Sequence, residues 1–306
     1  MRWATYVSPL AGTERPALVV DGVLHGLRGD EQLIDLLDRL PAAAEQAVAD
    51  PLEVVPEAGV VLRAPVPVPP SIRDFMAFEE HVVTSMQAIG QELHPTWYEI
   101  PVFYFTNPAA VLGPHDAVEI SPGSEMFDYE LEVAAVIGTP GSDLDPADAA
   151  SHIAGYTILC DWSARDLQMR EMALGLGPAK GKDSATSLGP YLVTPDELGS
   201  LDLAMTASVN GTPYSAGNLS DLYWSFAQLV AYASRGTRLV PGDVIGSGTV
   251  GTGCILELSR VHGTEKYPWL AAGDEVRLEV AGLGAQVARV EPARELKPLG
   301  ATRARR

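Results

Sequence analysis

Glu130 and Glu132 interrupt an otherwise apolar run in Phe127-Asp128-Tyr129-Glu130-Leu131-Glu132-Val133-Ala134-Ala135-Val136-Ile137-Gly138. The branched and aromatic residues and the closing glycine predict a β-strand. Residues at positions i and i+2 of a strand point to the same face, so the two glutamates lie side by side. On a strand that enters the core, adjacent carboxylates repel each other and lose hydration unless a cation or protons compensate. A hard divalent cation is the simplest compensation.

The composition indicates a folded globular protein of 306 residues, with 46% hydrophobic and 20% charged residues. This length can bury a large core in one large domain or in two smaller ones. The formal net charge of −19 argues against nucleic acid or an anionic membrane surface as a partner, since both attract basic patches. An anionic substrate would need a few local cations and a metal to hold it against this charge.

The cysteine content and the N-terminus predict a protein of the reducing cytoplasm. Two cysteines, Cys160 and Cys254, are too few for a disulfide framework in a chain of this length. Residues 1–10 lack the apolar core of a signal peptide, and no window approaches the roughly 18 uninterrupted apolar residues of a membrane-spanning helix.

A third acid follows the next apolar strand of the chain. Residues 153–160 predict a buried strand, and Asp161 stands at its end, where it is expected to cap a helix-like segment. An acid at a strand end can be both a cap and part of a functional site. Arg165 and Gln168 are three residues apart and so share a helical face, where a guanidinium and an amide suit a carboxylate.

A fourth acid and a histidine lie upstream, in a segment that we interpret as a loop followed by a helix. Asp74 and His81 are seven residues apart, about two helical turns, so they share a face if residues 71–81 are helical. The alternative interpretation is a surface helix with an acid near its N-terminus and an incidental histidine.

Two glycine-rich segments also carry polar groups. Residues 175–184 contain two lysines, Lys180 and Lys182, but lack the Ser or Thr that a phosphate-binding P-loop would need at position 183. An ordinary flexible loop is the alternative. In residues 239–251 a turn and a strand lead into glycines that permit close backbone approach to a ligand, with Thr249 as a hydroxyl donor.

The rest of the chain predicts a small N-terminal domain, residues 1–65, and a larger strand-rich domain, residues 66–306. Proline-rich residues 64–70 are typical of a linker between them. The predicted strands cover residues 3–7, 17–24 (a hairpin), 102–105, 117–120, 191–193, 203–209, 254–258, 275–280 and 286–290, and the predicted helices cover 30–40, 42–50 and 221–234. Pro41 is expected to end the first helix, and the charged tail is expected to fray.

Taken together, these motifs resemble the fumarylacetoacetate hydrolase family over residues 65–295. The resemblance rests on Asp74 with His81, Glu130-x-Glu132, the block Asp161-Trp-Ser-Ala-Arg165-Asp-Leu-Gln168, Gly181-Lys182, and Ser247-Gly-Thr249 ahead of Glu257. It implies an α+β, mostly β fold, a mixed β-sandwich roll with a small N-terminal α+β domain. It also implies a homodimer that binds Mg²⁺, or Ca²⁺ or Mn²⁺, and acts on C–C bonds of 1,3-diketo or 2-oxo acids.

The resemblance assigns a role to each matching residue. It implies that the metal ligands are Asp74, Glu130, Glu132 and Asp161; that the catalytic residues are His81 as general base, Glu257 as its orienting partner and Lys182 near the developing charge; and that the substrate contacts are Arg165, Gln168, Tyr104 and Thr249. The residues agree with a hard-oxygen site, because several carboxylates without clustered His or Cys suit Mg²⁺, Ca²⁺ or Mn²⁺ better than zinc.

Departures from the family pattern narrow the expected activity. Smaller decarboxylase members have a glutamate three residues after the lid histidine, but Thr84 stands there, which favours the pair of His81 and Glu257. No arginine follows His81 as far as Gly90, where fumarylacetoacetate-specific enzymes place one. We therefore expect a hydrolase of an acylpyruvate or another diketo acid of aromatic catabolism. The alternatives are a 2-oxo acid decarboxylase or isomerase, and a non-catalytic binding protein stabilised by metal.

Overall fold

The computed structural model describes residues 1–88 and 90–300. The strands are β1 (Arg2–Val7), β2 (Glu14–Val20), β3 (Val23–Gly26), β4 (Glu53–Pro56), β5 (Leu62–Arg63), β6 (Ile72–Phe75), β7 (Phe103–Thr106), β8 (Val111–Leu112), β9 (Val118–Glu119), β10 (Phe127–Asp128), β11 (Leu131–Ile137), β12 (Gly141–Ser142), β13 (Ile153–Asp161), β14 (Ser163–Ala164), β15 (Thr186–Leu188), β16 (Leu192–Val193), β17 (Ala204–Val209), β18 (Thr212–Asn218), β19 (Arg238–Leu239), β20 (Val244–Gly246), β21 (Glu275–Val280) and β22 (Gly284–Glu291). The helices are α1 (Leu40–Ala49), α2 (Glu79–Ala88), α3 (Pro146–Ala149), α4 (Arg165–Met172), α5 (Pro195–Leu198), α6 (Phe226–Ala233) and α7 (Ile255–His262).

One half of a 13-stranded sheet has the strand order β13-β11-β20-β6-β7. β11 pairs antiparallel with β13 on one side and with β20 on the other. β20 is parallel to β6, and β6 is antiparallel to β7. Strands that are far apart in sequence therefore lie side by side here, and this order places the acidic residues.

Successive residues of β11 face opposite sides of this sheet. Val133, Ala135 and Ile137 lie in the main hydrophobic core, whereas Ala134 and Val136 lie in a second buried cluster. Because side chains alternate along a strand, the acids that precede Ala134 by two and four positions face the side of the second cluster. One strand therefore packs the core with one face and presents carboxylates with the other.

The main core lies between the large sheet and a five-stranded sheet of order β18-β17-β21-β22-β9. Met205, Ala207 and Val209 of β17 contribute to it, together with Val276 and Leu278 of β21. Two mixed sheets with a shared apolar interior confirm the prediction of a mostly β, α+β sandwich roll.

The N-terminal residues cover the opposite face of the large sheet. The second cluster contains Trp3 of β1, Leu40 of α1 and the 3-10 turn Leu33–Leu36. β1 extends the sheet by pairing antiparallel with β16, with Trp3 opposite Leu192. The hairpin of β2 and β3 turns at the predicted Asp-Gly pair. The boundary at residue 65 stays a prediction.

The predicted helix over residues 30–40 is wrong. Only the 3-10 turn Leu33–Leu36 forms there, and α1 begins at Leu40 with Pro41 in its first turn. Proline is well suited to a first helical turn, where its missing N–H has no intrahelical acceptor, so Pro41 begins the helix that it was expected to end. The helix predicted over 221–234 is shorter, because Ser225 and Gln228 form a capping box that starts it at Phe226.

Three local predictions near the site are also wrong. Asp74 lies in strand β6 rather than in a helix, although His81 does lie in the first turn of α2. Residues 255–258 form the start of helix α7 rather than a strand, and Cys254 is its N-cap. Asp161 is the last residue of β13 and does not cap α4, which begins at Arg165.

Residues 292–300 have no regular secondary structure, and the rest of the charged tail, residues 301–306, lies outside the described residues. Within the part of the chain that the structure describes, no helix combines the length and apolar character needed to cross a bilayer.

Candidate active site

Four carboxylates meet on the face of the large sheet that β11 turns away from the main core. One carboxylate oxygen of each of Asp74, Glu130, Glu132 and Asp161 lies within 4.8 Å of the others. They come from three places, β6, the start of β11 and the end of β13. The structure thus brings together all four acids for which the sequence predicted a shared metal site.

A glycine makes room for them. β20 runs between β11 and β6, and its Gly246 pairs with Ala134 on one side and Asp74 on the other. A Cβ on Gly246 would lie 2.6 Å from Asp74 Oδ1 and 3.2 Å from Glu132 Oε2. The carboxylates therefore approach each other through the space that a side chain of β20 would fill.

Burial and mutual repulsion oppose ionisation of three of the acids. Burial, and then the neighbouring Asp161, raises the pKa of Asp74 to about 8. Burial, and then Asp74, raises the pKa of Glu132 well above its ordinary range. Burial also raises the pKa of Asp161, although Lys182 opposes this. Three buried acids that resist charge together would gain from a cation between them.

Glu130 has a different environment, because two cations contact it. Arg165 Nη2 donates to its Oε1 at 2.8 Å, and Lys182 Nζ donates to its Oε2. Burial alone would raise the pKa of Glu130, but Arg165 and Lys182 outweigh it and hold that pKa below its ordinary value. Lys182 Nζ also donates to Asp161 Oδ2 at 2.6 Å.

The unpartnered oxygens of the cluster fit a divalent cation. Asp74 Oδ1, Glu132 Oε1 and Asp161 Oδ1 are buried and accept no hydrogen bond from any residue that the structure describes. The other oxygens are used, since Gly248 N–H donates to Glu132 Oε2 at 3.0 Å and the Tyr104 hydroxyl donates to Asp74 Oδ2 at 2.9 Å. Buried unpaired carboxylate oxygens are costly, and hard cations such as Mg²⁺, Ca²⁺ and Mn²⁺ prefer such ligands.

The loop that carries Lys182 is held by one carboxylate. Glu171, near the end of α4, accepts the backbone N–H groups of Ala179, Lys180 and Gly181 at 2.8, 2.8 and 3.0 Å. These three bonds fix the turn that delivers Lys182 to the acids. The glycine-rich loop is therefore held in place by its hydrogen bonds to Glu171.

A histidine and a glutamate form a pair beside the acids. His81 Nδ1 lies 3.0 Å from Glu257 Oε2, and both residues are buried. The N–H of Thr252 donates to Glu257 Oε1 at 2.9 Å. Thr252 has a φ of 65°, a left-handed conformation that is costly for a β-branched residue and is concentrated at functional sites.

This pair is adjacent to the acidic cluster through Cys254. Glu130 forms an antiparallel bridge with Cys254, and the side chain of Cys254 lies within 4.8 Å of both His81 and Glu257. The structure thus brings together the predicted base and its orienting partner from α2 and α7, and places them next to the carboxylates.

The remaining predicted residues line the same region. Arg165 Nη1 donates to Gln168 Oε1 at 3.1 Å, as their helical spacing predicted. The Tyr104 hydroxyl donates to both Asp74 and Asp161. Thr249 is buried, and its hydroxyl donates to the carbonyl of Leu131 at 3.3 Å.

Sequence reasoning missed the role of Asp128. Its Oδ2 accepts Arg165 Nε at 2.8 Å, and its Oδ1 and Oδ2 accept the N–H groups of Ile255 and Leu256 at 2.7 and 3.0 Å. It thus fixes both Arg165 and the start of the helix that carries Glu257. The signal was available, since Asp128 precedes Glu130 by two positions in the same strand-like run.

Among the described residues, four clustered buried carboxylates, three of them with an oxygen that accepts no hydrogen bond, lie beside a histidine–glutamate pair, an arrangement typical of an enzyme site that could hold a divalent cation. Residues 71–291 match the family model described as the fumarylacetoacetate (FAA) hydrolase C-terminal domain. The chain belongs to the fumarylacetoacetate hydrolase family.

Relatives of this chain have several activities. The human mitochondrial oxaloacetate tautomerase FAHD2A is 32% identical over 253 residues, which are 81% of this chain and 75% of that protein. A 5-carboxymethyl-2-hydroxymuconate delta-isomerase structure from Mycobacterium smegmatis is 26% identical, with a TM-score of 0.71 over 95% of this chain and 100% of that one. Maleylpyruvate hydrolase from Sphingobium sp. SYK-6, solved with manganese(II) and pyruvate, is 23% identical, with a TM-score of 0.73 over 96% and 100%. This last likeness shows the fold alone.

Proposed function

We propose that this chain is a divalent-metal-dependent hydrolase that cleaves a C–C bond in a small 1,3-diketo acid, such as an acylpyruvate. The single observation that carries the proposal is the 3.0 Å contact between His81 Nδ1 and Glu257 Oε2. With its Nδ1 proton directed to Glu257, a neutral imidazole keeps its acceptor lone pair on Nε2. Such a nitrogen is suited to take a proton from water.

The acidic cluster would hold the cation. Asp74, Glu132 and Asp161 each offer a buried oxygen to which none of the described residues donates a hydrogen bond, and Glu130 completes the set. When bound, the cation would polarise the carbonyl oxygens of the substrate and offset the negative charge that develops on them. We propose Mg²⁺ as the resident ion, with Ca²⁺ or Mn²⁺ as alternatives, because the ligand set consists of carboxylate oxygens.

The pair of His81 and Glu257 would move the protons of the reaction. His81 Nε2 takes a proton from water, whose oxygen attacks the carbonyl carbon remote from the 2-oxo acid group. The bond between that carbon and the neighbouring methylene breaks, and the proton on His81 goes to the released carbon. The products are a carboxylic acid and a 2-oxo acid, and Glu257 stabilises the imidazolium between the two transfers.

The buried cations and hydroxyls would bind the substrate. Lys182 is positioned by its bonds to Glu130 and Asp161 and brings a positive charge to the site. We propose that it stabilises the developing oxyanion. We also propose that Arg165, Gln168, Tyr104 and Thr249 contact the substrate or hold groups that do.

An acylpyruvate assay tests the proposal. The enol absorbance of the substrate should fall in the presence of Mg²⁺ or Mn²⁺, and two acids should appear in equal amounts by chromatography. A panel of acylpyruvates and related diketo acids turned over at no more than the uncatalysed rate, with a cation demonstrably bound, would reject the hydrolase.

A second candidate is an isomerase or tautomerase of a 2-oxo acid. It is favoured by the human oxaloacetate tautomerase, a relative that matches 81% of this chain. The same pair of His81 and Glu257 could move a proton between a carbon and an oxygen atom, as in a tautomerase, or between two carbon atoms, as in an isomerase. Neither reaction needs an attacking water. Interconversion of enol and keto oxaloacetate without new products would favour this activity, and release of CO₂ would favour a decarboxylase.

A further inference from the structure

The cysteine beside the proposed base has no role in the reaction described above. Cys254 is completely buried, and its thiol forms no disulfide among residues 1–88 and 90–300. It is the residue immediately before α7 and is therefore fixed by the start of that helix. A free thiol that is held beside a histidine and a carboxylate can serve as a ligand of a soft or borderline metal ion.

Three different ligand types meet at this point. A nitrogen of His81, the sulfur of Cys254 and a carboxylate oxygen of Glu257 lie within 4.8 Å of one another. His81 Nδ1 and Glu257 Oε2 are already 3.0 Å apart. Ligands of a tetrahedral zinc ion lie about 3.3–3.8 Å apart, as the Zn–N and Zn–S bond lengths require. Side-chain shifts of about 1 Å would therefore complete a three-ligand site.

We propose that His81, Cys254 and Glu257 form a second metal site, selective for zinc and similar thiophilic cations, whose occupation switches off the proposed base. The neighbouring four-carboxylate cluster contains oxygen ligands alone and therefore prefers Mg²⁺, Ca²⁺ or Mn²⁺. The nitrogen, sulfur and oxygen set prefers Zn²⁺. Two adjacent sites thus select different ions by the chemistry of their ligands.

The loss of activity follows from the tautomer of His81. A zinc ion that takes the Nδ1 lone pair leaves the single ring proton of a neutral imidazole on Nε2. The thiol of Cys254 gives its proton to solvent and binds as thiolate, while Glu257 exchanges its hydrogen bond for a bond to the metal. No redox change is involved. With Nε2 protonated and the ring held by the ion, His81 can no longer accept a proton from water.

Cobalt(II) reports on the site without any substrate. A thiolate bound to Co²⁺ gives a charge-transfer absorption in the near ultraviolet, whereas the oxygen ligands of the acidic cluster do not. The full-length chain titrated with Co²⁺ should show this absorption, and added Zn²⁺ should remove it. Absence of the absorption in the unmutated chain would overturn the proposal. This result does not depend on whether the chain is a hydrolase.

Two cysteine substitutions provide a matched comparison. Cys254→Ser should abolish the cobalt charge-transfer absorption. It should also weaken Zn²⁺ binding by more than roughly 10- to 100-fold, which is the cost of losing a residue that merely orients a ligand. Cys160→Ser should leave both unchanged, because Cys160 is equally buried but lies in the main core. Zn²⁺ inhibition that persists unchanged in Cys254→Ser, or an absorption lost in Cys160→Ser, would contradict the assignment.

Discussion

Glu130 and Glu132 are two residues apart in the chain, but their surroundings affect their charges in opposite ways. Arg165 and Lys182 keep Glu130 ionised, whereas burial beside Asp74 favours the neutral form of Glu132. Glu130 is therefore already compensated by protein cations. Among the described residues no ion pair compensates Glu132, so it is the more sensitive residue with which to test the proposed metal site.

Replacing Glu132 with glutamine should lower the affinity for Mg²⁺ by at least about 10-fold, because a neutral amide takes the place of a charged ligand. Isothermal titration calorimetry measures this directly. Glu279→Gln, a change of the same kind at an exposed position of β21, should leave binding unaltered. Equal Mg²⁺ affinity in the Glu132 and Glu279 variants would remove Glu132 from the metal site.

Replacing His81 with alanine should reduce hydrolysis by about 100-fold or more, because the proposed general base is lost, while metal binding persists. Steady-state kinetics and calorimetry on the same preparation check the two parts. His115→Ala is the control, since His115 is exposed. Near-normal turnover by the His81 variant would exclude it as the base.

Individual site residues could be predicted from the sequence better than their local structure. Glu130 and Glu132 followed from strand alternation alone. The start of helix α7, which carries Glu257, did not follow from the sequence. The first N–H groups of this helix donate to Asp128, which is 127 and 128 positions away in the chain. A cap supplied from so far away leaves no local pattern, and a short apolar run such as residues 254–258 fits a strand or a helix equally well.

At the scale of single elements, β20 is the strand that makes the site possible. It contributes no ligand, but it separates β11 from β6 and leaves a space at Gly246. Its neighbour β6 lies in a segment that the sequence predicts as a loop followed by a helix. All four residues of β6 are buried between β20 and β7, and these pairings are set by distant parts of the chain.

Gly246→Ala should therefore abolish measurable Mg²⁺ binding while the protein remains folded. The added Cβ would lie 2.6 Å from Asp74 Oδ1, too close for either group to stay in place. Calorimetry reports the binding, and far-ultraviolet circular dichroism reports the fold. Gly59→Ala is the matched control, because a Cβ there meets no atom within 4 Å. Metal binding by the Gly246 variant at the affinity of the Gly59 variant would refute this account of β20.

At the scale of the whole molecule, the acidic cluster links stability to pH. The pKa of Asp74 is raised from 3.8 to about 8, so the folded state holds a proton that the unfolded state releases. Stability from this group is complete below the unfolded pKa and is lost as pH rises through the folded pKa. Glu132 and Asp161 act in the same direction, whereas the lowered pKa of Glu130 matters below about pH 4.5.

Metal-free protein should therefore lose thermal stability as pH rises from about 5 to 8, and Mg²⁺ should restore more of it at the upper end. Differential scanning calorimetry with and without Mg²⁺ across this range makes the comparison. A difference between the metal-free and Mg²⁺-loaded melting temperatures that does not grow with pH would contradict this linkage.

The depth of the acidic cluster also determines how fast an ion can come and go. Asp74, Glu132 and Asp161 are each 1% exposed or less, so the carboxylates that would hold a cation are shielded from a chelator in solution. Departure of the ion then waits for a local opening of the surrounding strands and loops. A chelator in solution would remove the metal at a rate independent of its own concentration. The residence time of the ion would therefore report the rate at which the surrounding strands and loops open.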